Sequence, residues 1–195
     1  GQGQAQAGGG TLYLGQTNAI FTDAGLTVGR QKCTAWLGFN TNVVMDNPFA
    51  LFRDNAGTGR QSQWQIGDHA TGGTTTGNRG TADFSYGTVD ALVDVMYVGR
   101  GQTGAGAAGR GTLSFTNGTI DVNTLNVGYQ RFDGSAGQGT VNVDGGAHLT
   151  VNGNLLLGYT LGPTAPSTGV LNIGQTVPGG SVWVKGNVVE GGGTG

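Results

Sequence analysis

Gly111-Thr-Leu-Ser-Phe-Thr-Asn-Gly-Thr-Ile-Asp-Val-Asn-Thr-Leu-Asn-Val-Gly128 is the stretch whose reading decides the fold. Leu113 and Phe115 alternate with Ser114 and Thr116, Ile120 and Val122 flank Asp121, and Leu125 and Val127 flank Asn126. Each short run has one apolar face with a period of two, which is the pattern of a half-buried strand. Asn117-Gly118 reads as a turn signal between the first two runs. A glycine stands at each end of the unit.

The same text recurs along the chain. It appears as GTADFSYGTVDALVDVMYVG (80–99), GTVNVDGGAHLTVNGNLLLG (139–158) and GVLNIGQTVPGGSVWVKGNVVEG (169–191), with a more distant copy in GTLYLGQTNAIFTDAGLTVG (10–29). Successive units from Gly80 onward start 31, 28 and 30 residues apart. A period in this range marks stacked supersecondary units, each too small to bury its apolar face alone. Three short strands per unit, in constant order, predict one coil of an all-β, single-stranded parallel β-helix or solenoid. The expected solenoid spans 10–191 with about six turns of roughly 30 residues, flanked by low-complexity tails at 1–9 and 192–195. Residues 30–67 are less regular and read as one enlarged coil or two, rich in Trp and Phe; the regular repeats run from 80 to 191. An antiparallel sandwich also yields short alternating strands, but it leaves the constant strand order unexplained. The Gly-rich connectors 68–79, 100–110, 129–138 and 159–168 are expected to stack as loops on one edge.

Composition narrows the function. Glycine accounts for 42 of 195 residues, roughly three times ordinary usage, and suits tight turns needing positive φ. Nine basic residues, a net charge of -2 and no basic stripe argue against a nucleic-acid partner. No apolar run reaches the length of a membrane span. Cys33 is the only cysteine, so no disulfide framework is expected. Without an initiator Met or a signal sequence, the chain reads as a mature or partial segment of a longer protein.

Gly99-Arg-Gly101-Gln-Thr-Gly104 and Gly104-Ala-Gly106-Ala-Ala-Gly109 match the dinucleotide fingerprint in letters. Neither opens a helix, so neither supplies the helix N-terminus that a pyrophosphate needs. Asp54 begins a calcium-like loop that lacks the later ligands. His69 and His148 fall in different slots of the unit. No cofactor and no enzymatic activity are expected; a polysaccharide lyase or hydrolase would need carboxylates clustered on one outer face, and the acids here are scattered.

Counting from the closing glycines places Arg30, Asp68, Arg100, Tyr129 and Tyr159 in one column. It is read as a structural ladder, worth roughly 0.2–1 kcal/mol per cross-strand pair. Further columns are expected for Thr11, Thr81, Thr112 and Thr140, and for Thr88 with Thr119. Asp90 is placed over Asp121, either as solvated carboxylates or as a cation site. Trp36 and Trp64 are read either as a bulkier core or as an aromatic platform for a ligand.

The segments GTLSFTNGTIDVNTLNVGYQ and GTVNVDGGAHLTVNGNLLLGY resemble the Gly-Thr-Leu…Leu-x-Val-Gly repeats of bacterial autotransporter-type surface proteins, closely over 80–191 and loosely over 10–67. Similar Gly/Thr/Asn-rich repeats occur in large secreted proteins of environmental bacteria. The resemblance implies a right-handed β-helical stalk, adhesin or filament component at the cell surface and carries over no catalytic residues. The resulting expectation is an extracellular structural component. It would self-associate head-to-tail through its open ends or continue in a longer repeat chain. A glycan-binding adhesin using stacked loops and aromatics is the second expectation.

Overall fold

The computed structural model describes residues 8–31, 33–69, 79–102 and 108–192. Most of the expected connector 68–79, the middle of 100–110 (103–107) and most of the two tails therefore lie outside the described residues. Every described element is a strand, and every strand pair is parallel. The chain is a β-solenoid of six levels. Level one holds β1 (Gly9–Leu14), β2 (Thr17–Phe21) and β3 (Leu26–Arg30). Level two holds β4 (Thr34–Phe39), β5 (Phe49–Arg53) and β6 (Gln61–His69), so 30–67 supplies one coil with long corners. Level three holds β7 (Arg79–Phe84) and β8 (Thr88–Gly101), and level four is the single 22-residue β9 (Gly109–Gln130). Level five holds β10 (Gly137–Val151) and β11 (Leu155–Tyr159). Level six holds β12 (Thr168–Ile173), β13 (Ser181–Val184) and β14 (Val188–Glu190).

Three faces result. The first stacks β1, β4, β7, the start of β9, the start of β10 and β12. The second stacks β2, β5, the start of β8, the middle of β9, the end of β10 and β13. The third stacks β3, β6, the end of β8, the end of β9, β11 and β14. The expected turn at Asn117-Gly118 is a corner within β9, where the pairing to the level before breaks off after Phe115 and resumes at Gly118 and the register to β10 shifts.

Alternation decides what lies inside. Leu37, Ala82, Leu113 and Val141 form one inward column on the first face; Phe52, Ala91, Ile120 and Leu149 form one on the second. Ile66, Val98 and Val127 form one on the third, and all of these side chains are buried. The large rings gather near levels two to four. Phe52 packs edge-on to Trp64 at 4.9 Å and to Phe84 at 5.5 Å, a geometry favoured by the ring quadrupoles.

The glycines that frame the repeat close the seam between the third and first faces. Gly29, Gly67, Gly99, Gly128 and Gly158 stand one or two residues before the ends of the third-face strands with φ of 63° to 73°, a left-handed conformation that only glycine adopts freely. The opening glycines meet this seam from the other side. A Cβ on Gly139 would stand 2.0 Å from the Val98 carbonyl oxygen and 2.5 Å from the Gly128 nitrogen. At levels three to six, backbone therefore lies against backbone along the seam.

Candidate functional site

Just past the closing glycines, the third face carries a polar and aromatic column. Arg30 pairs with Asp68, Asp68 with Arg100, Arg100 with Tyr129, and Tyr129 with Tyr159, each in direct register. The constant Val/Ile/Leu-Gly step before each residue holds the column in line. Asp68 is fully buried. It accepts two hydrogen bonds from Arg100, Nε to Oδ1 at 3.0 Å and a terminal guanidinium nitrogen to Oδ2 at 2.8 Å. Gln102 Nε2 donates to both carboxylate oxygens at 2.6 and 2.8 Å, and Arg30 approaches at 3.9 Å. A bidentate guanidinium pair with extra donors is the geometry that compensates a buried carboxylate.

Arg100 also lies 4.0 Å from the Tyr97 ring centroid, and Tyr129 stacks on Tyr159 at 5.2 Å with 13° between ring planes. Burial, followed by the neighbouring Tyr97 and Tyr159, raises the Tyr129 phenol above its ordinary value. Beside the column, His69 Nδ1 stands 3.2 Å from Ser135 Oγ, and both residues are buried.

The paired aspartates fall differently from expectation. Asp90 registers with Thr119, and Asp121 with Leu92, so the two carboxylates do not stack. The corner between Phe84 and Val89 is two residues longer than the one between Phe115 and Gly118, which shifts the register after it. Each aspartate has its own cation instead: Arg53 reaches Asp90 at 2.8 Å and Arg60 reaches Asp121 at 2.7 Å. The same shift separates Thr88 from Thr119. Trp36 interrupts the threonine column between Thr11 and Thr81. Among the described residues, no group of three or more His, Cys, Asp or Glu side chains could hold a metal ion.

The two tryptophans also separate. Trp64 points inward with 0% exposure and donates its indole N–H to Gln61 Oε1 at 2.6 Å, so it is a core residue and not part of a platform. Trp36 points outward, half-buried, with Tyr13 at a ring distance of 5.2 Å. The third tryptophan, Trp183, was not singled out from the sequence. It is exposed on β13 beside Lys185, and its place between the inward Val182 and Val184 was the available signal.

The remaining distinctive surfaces are the two ends. At level one a hollow of about 250 Å³ opens between the first and third faces, lined by Leu12, Leu26, Val28, Trp36 and Leu37 among others. Leu12 occupies an inward column yet is 52% exposed; at level six, Ile173 and Val188, also inward, are 45% and 55% exposed. Among the described residues, the strands β1, β2 and β3, like β12, β13 and β14, each have one ladder partner and no strand along the other edge. No family model matches the chain, and neither a curated protein nor a solved structure does so.

Proposed function

We propose that the chain is a structural component of an extracellular fibre, stalk or surface layer, a stack that joins further solenoid coils through its open ends. The observation that carries this reading is the pair of uncovered terminal levels, where inward Leu12, Ile173 and Val188 face solvent beside free strand edges. Unpaired edges over exposed apolar side chains invite strand addition, and solenoids ordinarily cover them with a cap. Among the described residues no helix or additional strand lies across either end. The likeness of the Gly-Thr repeats to autotransporter-type surface proteins supports a location at a bacterial surface.

The interior levels fit the role of scaffold. Their inward columns are packed, and their buried carboxylate is held by arginine and glutamine. Immunogold electron microscopy of the source cells, with antibody raised against the folded chain, tests the proposal. Gold along surface fibres or a surface layer is expected; label confined to the cell interior would refute it.

A further inference from the structure

The seam between the first and third faces follows a rule that the ends break. A Cβ on Gly80 would lie 2.1 Å from the Val28 carbonyl oxygen, on Gly111 2.1 Å from that of Ile66, on Gly139 2.0 Å from that of Val98, and on Gly169 2.1 Å from that of Val127. In every case the carbonyl belongs to the third-face strand two levels earlier. Real Cβ atoms do not approach backbone so closely, so this column admits only glycine wherever a strand lies two levels back.

Ala35 holds this column at level two, where no strand lies two levels back. Gly10 holds it at level one and has nothing within 4 Å of its Cβ position. The carbonyls come from the inward column Val28, Ile66, Val98, Val127 and Leu157, which ends in Glu190 at level six. A second copy stacked in register would make its level one the seventh level and its level two the eighth. Its Ala35 methyl would then stand where the interior column has only glycine, facing the Glu190 carbonyl oxygen of the first copy as Gly80, Gly111, Gly139 and Gly169 face the carbonyls of Val28, Ile66, Val98 and Val127. The Glu190 carboxylate would be enclosed between Leu157 below and the second copy's Val28 above, and an unpaired buried charge is strongly unfavourable. Both obstacles fall at one junction, from opposite ends. Inward charges at open edges are a known device against unwanted strand pairing.

We infer that the ends refuse in-register stacking on a second copy of this chain, and that the C-terminal end takes a coil of different sequence. That coil has glycine at the seam and places a hydrogen-bond donor or cation, such as Lys, Arg, Asn or Gln, over Glu190. The inference rests on the reading of the ends as junctions and names their partner.

Sedimentation velocity and negative-stain microscopy of the whole chain and its variants test it, with circular dichroism confirming the fold. The wild type, Ala35→Gly and Glu190→Val are each expected to sediment as monomers. The double variant Ala35→Gly/Glu190→Val should shift to end-to-end stacks several-fold heavier. Adding Gly10→Val, at a position that meets nothing within the monomer, should return it to monomer. End-to-end stacks of the wild type would overturn the inference. So would a folded double variant that stays monomeric, or association that Gly10→Val does not suppress. Surface labelling is read independently, so the proposed function can fail while this barrier stands.

Discussion

Gly139 and Gly10 occupy one column and face opposite consequences. A methyl group on Gly139 meets Val98 and Gly128 backbone that cannot rotate away, whereas one on Gly10 enters open space. Gly139→Ala is therefore expected to destabilise the chain by about 3 kcal/mol, the upper part of the overpacking range. Gly10→Ala should stay within about 0.5 kcal/mol of wild type. Urea melts of the two variants check the contrast, and equal losses would contradict it. The sequence showed glycine framing each unit, and positive φ accounts for the closing glycines. The opening ones were not legible in these terms, because the backbone they meet belongs to a strand two coils earlier, a relation that no local pattern carries.

At the scale of the element, legibility followed corner length. The column from Arg30 to Tyr159 can be counted directly from the closing glycines, with no corner in between. The Asp90 and Asp121 positions had to be counted through the Ser85-Tyr86-Gly87 corner, whose two extra residues move every later partner. The outer face of the first sheet carries a polar counterpart of the Tyr stack. Asn172 donates to Asn142 Oδ1 at 2.8 Å, and Asn142 to Ser114 Oγ at 2.9 Å. The Tyr stack itself has a pH signature. The folded state raises the Tyr129 phenol, through burial first and then Tyr97 and Tyr159. A group whose folded pKa is raised contributes stability that is complete below its unfolded value, about 10 for tyrosine. That contribution is lost as pH rises through the folded value. Wild type should thus lose more stability than Tyr129→Phe as the pH rises above about 10 in urea titrations. Parallel losses in the two proteins would show that the stack contributes nothing of this kind.

Across the whole molecule, six levels at about 4.8 Å give a stack roughly 29 Å deep. Its middle is closed and its ends are open. The inward columns were legible from period-two alternation, and they are buried through the interior levels. What the ends join was less legible, because Ala35 and Glu190 look unremarkable until the register sets them in columns that otherwise hold glycine and aliphatic residues. Cryo-electron microscopy of the native assembly tests most directly the proposal that this chain is a segment of a longer mixed stack. The strand spacing should run unbroken past β14, with Val188 covered and a coil of different sequence set over Glu190. Particles in which Leu12, Ile173 and Val188 remain bare to solvent would contradict the account.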